Sequence, residues 1–484
     1  MTDAPVEPEG PTRAPRETPP GDRPEFDVLV TGGEVVLPPV GVLPIDLGIR
    51  GNRIIAHLQR DAVAAARNYI DARGKLVFPG LVDPHVHIGY TAGRGMPLDA
   101  MPEHFDTETA SALVGGITTL IVMYRNEARY EDIWDEMVRA GEQHSRIDFG
   151  YTLGITGDHH REGIADHYKE FGISSFKLYM VYRGDEAGRT GNAYVRYDDG
   201  LLWDTMEAVA GLPGAVAMVH AENIEVIARI RERVASTGRD DLAAWSESRP
   251  DFTEAEAVRR VLYLGEQSGC PVYIPHLSCA ESLVAVAEHR ARASTPAYVE
   301  TCPQYLTHTM DSDVGLLGKV NPPLRRDRDR DALWSAIAAG SVDTIGTDHC
   351  GLRRRDKGPG IWNGTPGFPG MATMLPVLLQ GVRDGLVSLL HVAAATSLNP
   401  ARVLNLYPRK GTLEVGADAD LVIVDPTLTR RVTPELLRSR SDFSIYEGRE
   451  LTGWPVLTML RGNVLMRDGE VVGAPGYGRY LRRA

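Results

Sequence analysis

The amino-acid sequence predicts an α/β protein with a (β/α)8 TIM-like barrel and a small discontinuous β-sandwich domain built from both termini. Between about residues 76 and 406, strand-like apolar runs alternate with helical patterns, and eight such runs can be counted. Short strands and turns flank this region on both sides. The main alternative, an open doubly wound sheet, would place a GxGxxG phosphate loop after an early strand, and no such spacing follows one.

The two flanks contain too little chain to form separate cores. The N-terminal flank has only about 45 residues in short strands, so it needs a partner to bury its apolar faces. The C-terminal flank supplies further strands, and one sandwich assembled from both ends is the simplest arrangement. The predicted flank strands are 27–30, 34–37, 46–50, 421–424, 456–464 and 470–472.

The barrel region has helices that stop at glycines, as expected where a left-handed residue ends a helix. Examples are 107–114 before Gly115-Gly116, and 329–339 before Gly340. The predicted barrel strands are 76–87, 118–124, 148–155, 174–180, 215–222, 272–278, 298–305 and 343–349. The predicted domains are a disordered tail at 1–25, the sandwich at 26–75 and 408–484, and the barrel at 76–407.

Composition excludes several classes of protein. The net charge of −13 argues against nucleic acid or an anionic membrane surface as partner, because both favour a basic face. No window holds the roughly 18 uninterrupted apolar residues of a membrane span. The four cysteines occur singly, which suits a reducing cytoplasm better than a disulfide framework or a thiolate zinc site. We therefore predict a cytoplasmic protein with a small-molecule partner.

The first barrel strand ends in His85-Val86-His87. Side chains two apart on a strand share a face, so both imidazoles can bind one metal ion. Taken alone, such a pair could also occur near a turn by chance. Further candidate ligands end four more predicted strands, at Lys177, His220, His276 and Asp348, and chance would not place them so regularly.

Each of these residues also has an ordinary structural explanation. His220 and His276 could be buried core or capping residues, and Asp348 could cap a turn. Lys177 interrupts an apolar strand, where burial would lower its pKa and free the amine to capture CO2 as an anionic carbamate that bridges two metal ions. A lysine that extends from the strand end to solvent is the simpler alternative.

The sequence resembles the cyclic amidohydrolases of the amidohydrolase superfamily, and it is most similar to the hydantoinase and dihydropyrimidinase group. The resemblance covers the barrel and both flanks. The matching segments are PGLVDPHVH at 79–87, SFKLYMVY at 175–182, VHAEN at 219–223, ETCPQYL at 300–306 and GTDHC at 346–350.

The resemblance implies a centre of two divalent metal ions, with zinc as the expected ion and Mn²⁺, Co²⁺, Ni²⁺ or Fe²⁺ as alternatives. It also implies a homo-oligomer, either a dimer or a tetramer. By position, His85, His87 and Asp348 would bind the more buried ion, His220 and His276 the more exposed one, and carboxylated Lys177 would bridge them. Tyr182 would donate to the oxyanion, and the segments around Asn321 and Asn363 would hold the cyclic amide.

The implied reaction is hydrolysis of a cyclic amide by a metal-bridging hydroxide, with Asp348 as the proton shuttle. Dihydroorotase and allantoinase are the enzymatic alternatives. Dihydroorotases commonly place an arginine just after the His-x-His pair, whereas this chain continues Ile88-Gly89-Tyr90 and has Arg94 as the nearest arginine downstream. A non-catalytic scaffold is the alternative from another class, although every ligand is retained.

The loop after the fourth predicted barrel strand contains several glycines and three arginines, Arg183, Arg189 and Arg196. Guanidinium groups can form bidentate hydrogen bonds with a carboxylate or ureido group. This loop therefore leads to the hypothesis that the preferred ring has a polar or anionic substituent. The alternative is that these arginines are simply solvated.

Overall fold

The computed structural model of the protein describes residues 25–60, 62–182, 194–195 and 197–484. Strands are numbered in chain order. They are β1 Phe26–Thr31, β2 Glu34–Leu37, β3 Gly41–Leu43, β4 Ile45–Arg50, β5 Arg53–Gln59, β6 Ala66–Asp71, β7 Leu76–Pro79, β8 Leu81–Val86, β9 Ile117–Tyr124, β10 Asp148–Gly154, β11 Ser175–Tyr179, β12 Val216–His220, β13 Val272–Ile274, β14 Ala297–Thr301, β15 Thr344–Ile345, β16 Leu421–Arg431, β17 Glu450–Leu460, β18 Asn463–Arg467 and β19 Glu470–Val471.

The helices surround the barrel, and most of them connect its strands. Two predicted helix stops are confirmed, since Gly116 and Gly340 adopt positive φ angles of 83° and 69°. The α- and π-helices are Met101–Val114, Tyr130–His144, Asp158–Arg161, Ile164–Asp166, His167–Phe171, Asp199–Ala210, Ile224–Ala235, Leu242–Glu247, Asp251–Ser268, Ala280–Arg290, Pro303–Thr307, Asp327–Ala338, Met374–Arg383, Leu389–Ala393, Ala394–Leu398, Asn399–Val403 and Pro434–Leu437. Among the described residues, none of the helices has both the length and the apolar character needed to cross a bilayer.

The barrel is an eight-stranded parallel sheet in the order β8 to β15. A parallel bridge between Val86 and His349 joins its two ends, and the His87 amide donates to the His349 carbonyl at 2.9 Å. Every residue of β9 and β10 is buried, as expected for parallel strands covered by helices. The predicted (β/α)8 barrel is confirmed.

Four of the predicted barrel strands need correction. Those at 272–278 and 343–349 are shorter than predicted, since the strands span only Val272–Ile274 and Thr344–Ile345. The segment 76–87 is two strands, because β7 pairs with β2 and β16 of the sandwich while only β8 enters the barrel. Gly80 joins the two strands. A larger residue would not fit there, because its Cβ would lie 2.3 Å from Thr118 Oγ1 and collide with it. The predicted strand 298–305 ends at Thr301, because Pro303 has no amide to donate and begins a helix instead.

The sandwich consists of a four-stranded sheet and a seven-stranded sheet. The second sheet runs β19-β18-β17-β16-β7-β2-β3, so strands from both ends of the chain are adjacent in it. The shared core includes Val30, Leu47, Ile70, Leu421 and Leu457, all buried. This confirms the discontinuous sandwich. The domain limits stay a prediction, and we propose from the strand pairing that the first lies at Gly80.

A buried charged cluster joins the barrel floor to the sandwich. We call Asp148, Lys410, Asp418, Asp420 and Arg461 the basal cluster. Lys410 Nζ lies 2.6 Å from an oxygen of Asp148, 2.7 Å from Asp420 and 3.0 Å from Asp418, and Arg461 pairs with Asp148. Asp148 is the first residue of β10, so the cluster lies at the end of the barrel opposite the predicted ligands.

Candidate metal centre and active site

The predicted ligands meet in one cavity at the carboxyl ends of the barrel strands. His85 lies in β8, Lys177 in β11 and His220 at the end of β12, while His276 and Asp348 follow β13 and β15. These five residues line the cavity together with His87, Tyr182 and Asn321. Asn363 is exposed in a turn and is not among the described residues that line the cavity. Its role in substrate binding stays a prediction.

His85, His87 and Asp348 form the tightest group. One ligand atom from each lies within 4.8 Å of the other two. His87 Nε2 is 2.9 Å from Asp348 Oδ1, and His85 Nε2 is 3.4 Å from the same oxygen. His85 Nδ1 lies 2.7 Å from Glu300 Oε1, an outer contact that fixes the orientation of the imidazole ring.

His220 and His276 form the second group, with ring centroids 4.4 Å apart. The His276 and His85 rings are 5.3 Å apart, so the two groups are adjacent. His220 Nε2 lies 2.6 Å from Glu222, whose other oxygen accepts from Arg249 at 3.2 Å. Burial alone would raise the pKa of Glu222, but Arg249 and His220 outweigh it and hold this pKa at about 2. Glu222 is therefore a charged partner that orients His220.

Two of these residues have strained backbone conformations. His276 has a φ angle of 41° and Asp348 one of 50°. Non-glycine residues in this left-handed region cost about 1 to 3 kcal/mol when the surrounding structure imposes the conformation. Such strain clusters at functional sites, and here it turns two candidate ligands toward the cavity.

Lys177 lies among these groups in a fully buried position. Its Nζ has no hydrogen-bond partner among the described residues. Burial is the main cause that lowers its pKa to about 8, against the opposing effect of Glu300 and Asp348. An appreciable fraction of the side chain is therefore a neutral amine near neutral pH, which carbamate formation requires. The carbamate itself stays a prediction.

The donor set fits divalent metal ions. Burial is the leading cause that lowers the pKa of His85, His87 and His276, so these imidazoles are neutral, as metal binding requires. His85 Nε2, His87 Nδ1 and His276 Nδ1 are buried without a hydrogen-bond partner among the described residues. Unpartnered imidazole nitrogens next to a carboxylate and an amine are the ligand types that suit Zn²⁺ and similar ions.

Arg125 is a site residue that the sequence interpretation missed. It is buried, it lines the same cavity, and its Nη2 donates to the Tyr182 hydroxyl at 3.3 Å. It directly follows β9, so the rule that selected charged residues at strand ends applies to it equally. Glu300 was also missed as a functional residue, although it lies in one of the quoted motifs. The three loop arginines, Arg183, Arg189 and Arg196, lie outside the described residues.

Known proteins match the chain along almost its whole length. The model of the amidohydrolase family matches residues 214–465. A D-hydantoinase of Rhizobium radiobacter is 33% identical over 475 residues, covering 95% of this chain and 99% of that protein. An L-hydantoinase of Paenarthrobacter aurescens is 33% identical, with 95% and 98% covered. The crystal structure of dihydropyrimidinase from Brevibacillus agri aligns with a TM-score of 0.86 and 29% identity, over 94% of this chain and 98% of that one.

Proposed function

The chain belongs to the amidohydrolase family as a cyclic amidohydrolase of the hydantoinase and dihydropyrimidinase group, and we propose that it opens hydantoin, dihydropyrimidine or a related cyclic ureide or imide by hydrolysis. The observation that carries this proposal is the convergence of imidazole, carboxylate and amine groups from five barrel strands on one cavity. Four buried nitrogens there have no hydrogen-bond partner among the described residues. Together these imidazole, carboxylate and amine groups suit the binding of cations.

Two divalent metal ions, with zinc as the expected ion, are the proposed cofactors. His85, His87 and Asp348 would hold one ion, and His220 and His276 the other. The neutral amine of Lys177 would add to CO2 and lose a proton, which gives an anionic carbamate in place of a repulsive ammonium and supplies oxygen ligands for the ions. When bound, the ions would lower the pKa of a shared water and polarise the ring carbonyl.

Asp348 and Tyr182 have different roles in the proposed reaction, one as a proton acceptor and the other as a hydrogen-bond donor. Burial would raise the pKa of Asp348, but His85 and His87 outweigh it and lower this pKa, so the carboxylate is ionised at neutral pH. Asp348 can therefore accept a proton from the attacking water and return it to the leaving ring nitrogen. Burial raises the pKa of Tyr182, which keeps its phenol protonated as a donor to the developing oxyanion.

Asn321 is the proposed contact to the ring itself. The Asn321 side chain lines the cavity, and its buried Oδ1 has no hydrogen-bond partner among the described residues. A ring N–H would satisfy this acceptor. Because a buried unpaired acceptor is costly, a substrate that provides the missing donor gains affinity at this point.

A panel of rings tests the function. Purified protein should contain close to two metal ions per chain and open at least one ring among dihydrouracil, hydantoin, substituted hydantoins, dihydroorotate and allantoin. Preference for dihydroorotate or allantoin would identify the alternative enzymes. Little bound metal and no turnover would instead indicate the non-catalytic scaffold. Running the panel with ring-opened compounds would determine whether the protein also closes rings.

We further infer a cytoplasmic homo-oligomer, either a dimer or a tetramer. The four cysteines are all buried and unbonded, which suits a reducing compartment. The oligomer follows only from the family resemblance. Light scattering of the purified protein would test it, and a monomer at micromolar concentration would refute it.

A further inference from the structure

Arg325 is a buried arginine outside the active-site cavity that contacts residues next to the proposed metal ligands. The predicted ligands form a first site, with His85, His87 and Asp348, and a second site, with His220 and His276. Arg325 is not among the described residues that line the cavity, so it can affect these sites only through other residues. Burial would lower the pKa of Arg325, but Glu254 outweighs burial and raises this pKa, so the side chain is a permanent cation.

Arg325 reaches one ligand of the second site through Ser278, which lies two residues after His276 in the chain. Its Nε donates to Ser278 Oγ at 2.9 Å, and its Nη2 donates to Glu254 at 2.9 Å. Glu254 also accepts from the Ser278 amide at 3.0 Å and from the Ser278 hydroxyl. All these groups are buried, so their hydrogen bonds are shielded from water and hold the chain after His276 in one position.

Arg325 reaches the other ligand of the second site through Arg249. Its Nη1 donates to the main-chain carbonyl of Arg249. The Nη1 group of Arg249 donates to Glu222 at 3.2 Å, and Glu222 lies 2.6 Å from His220 Nε2. One guanidinium group is therefore connected, through two short series of hydrogen bonds, to both histidines of the second site.

The first site is held by a different buried carboxylate. Asp83 accepts from the His85 amide at 3.2 Å, from the Thr347 amide at 3.1 Å and from the Thr347 hydroxyl at 2.5 Å. Thr347 directly precedes Asp348, so Asp83 fixes the chain at two ligands of the first site. Glu300 contacts a ligand of each site and cannot distinguish them. Apart from Glu300, these outer contacts belong to one site or the other.

We propose that Arg325 and Glu254 are positioning residues that set the affinity of the second site for its metal ion and leave that of the first site unchanged. This inference rests on the proposed function, because it concerns the two ions of that centre. Removing an outer contact of a metal-binding histidine typically weakens metal binding by about 10- to 100-fold, because the contact fixes the orientation of the ligand. The chain would thus set the affinities of its two ions through separate residues.

Calorimetric titration of Zn²⁺ into metal-free protein, with bicarbonate present, tests the proposal. Wild-type protein should bind two ions. Arg325→Gln should weaken binding of the second ion by about 10- to 100-fold and of the first by less than about twofold. Ser278→Ala removes a single hydroxyl and should weaken the second ion by roughly 5- to 10-fold. This milder variant decides the question if Arg325→Gln does not fold.

Three further variants identify the sites and exclude general effects. His220→Ala retains only the first site intact, so its remaining ion identifies that site in the titrations. Thr347→Val removes the corresponding hydroxyl contact of the first site and should weaken the first ion instead of the second. Arg328→Gln is the matched control, because Arg328 is an exposed arginine paired with Asp251, and it should change neither affinity. A general loss of stability would not weaken one ion selectively.

Failure of this inference and failure of the proposed function give different results. Wild-type protein that binds fewer than two ions would refute the metal centre itself, and the positioning role with it. Two ions in the wild type, with equal weakening of both in Arg325→Gln or with the second-ion affinity unchanged in Arg325→Gln and Ser278→Ala, would refute only the positioning role. Selective weakening of the second ion supports it.

Discussion

Lys177 and Lys410 are both buried at the ends of the same barrel, yet their surroundings are opposite. Lys410 Nζ lies within 3.0 Å of three carboxylates, which outweigh the effect of burial and raise its pKa. Lys177 Nζ has no hydrogen-bond partner among the described residues, and burial lowers its pKa to about 8. Lys410 is therefore a permanent cation that joins the barrel to the sandwich. Lys177 can instead lose its proton and react as a neutral amine.

The difference shows how a protein assigns different roles to one residue type. Asp148, Asp418 and Asp420 lie close enough together to bind a metal ion, as His85, His87 and Asp348 do. In the basal cluster the lysine ammonium already neutralises the carboxylates. In the candidate metal centre burial lowers the pKa of His85 and His87, and Lys177 forms no ion pair with a carboxylate among the described residues. Of these two groups, only His85, His87 and Asp348 therefore lack a neighbouring cation that would take the place of a metal ion.

The largest expected effect comes from Lys177→Ala. Without the bridging carbamate, the protein should lose much of its metal, and turnover should fall on the order of 1,000- to 10,000-fold, as expected from several kcal/mol of lost charge stabilisation. Metal analysis and ring-opening assays measure this. Short-chain carboxylic acids added in solution should partly restore activity. Unchanged metal content and turnover would refute the role of Lys177.

The counterpart is Lys410→Met in the basal cluster. Removing the ammonium leaves buried carboxylates without their main partner, which should lower the free energy of unfolding by about 3 to 5 kcal/mol. Denaturant unfolding measures this change, and kcat/KM of the folded protein should stay near the wild-type value. Lys75→Met is the control, since its partly exposed pair with Asp425 should contribute within about 1 kcal/mol. Loss of turnover without loss of stability would contradict a purely structural role for Lys410.

Asp348→Asn separates proton transfer from metal binding. An amide cannot accept the proton of the attacking water, so kcat should fall on the order of 100- to 1,000-fold. Protonated Asp348 cannot accept the proton of the attacking water, so kcat/KM of the wild type should decrease as pH falls through the pKa of Asp348. Because this pKa is lowered, the decrease should occur below the ordinary pKa of an aspartate. Near-normal turnover in this variant with metal retained would assign the proton shuttle to another residue.

The pKa of Lys177 predicts when its carbamate forms. The ammonium form cannot attack CO2, so in metal-free protein the carbamate should accumulate as pH rises through about 8. Carbon-13 NMR with labelled bicarbonate measures it, and Lys177→Ala should lack the signal. Lys410 should not contribute, because its pKa is raised. A signal that does not depend on pH would contradict the assignment.

The smallest expected effect distinguishes the two asparagines. Asn321→Ala should lower kcat/KM by roughly 5- to 10-fold, the size of one ordinary hydrogen bond, because its buried oxygen lines the cavity. Asn363→Ala should change it by less than about twofold, since the side chain is exposed. Equal effects would show that the turn containing Asn363 closes over the substrate.

The candidate metal ligands, which the structure brings to one cavity, could be selected from sequence because their signals are local. His85 and His87 follow the two-residue period of a strand, and Lys177 interrupts an apolar run. The basal cluster has no such signal, because Lys410 and Asp148 are 262 residues apart and Lys410 lies in a segment typical of a surface turn. The division of 76–87 at Gly80 depended on pairing with β16, which no local pattern reveals. Arg125 had the same strand-end signal as the ligands and was overlooked.

The adjacency of β7 and β16 also has a consequence for synthesis of the chain. Strand β7 ends at residue 79 and its partner β16 begins at residue 421. At roughly 5 to 20 residues per second, the ribosome adds the partner on the order of 20 to 70 seconds later. During this interval the nascent chain exposes an unpaired strand edge, which is a site for aggregation or chaperone binding. We expect ribosome-bound chains stalled at residue 410 to be cleaved by protease within 26–80, and full-length chains to resist.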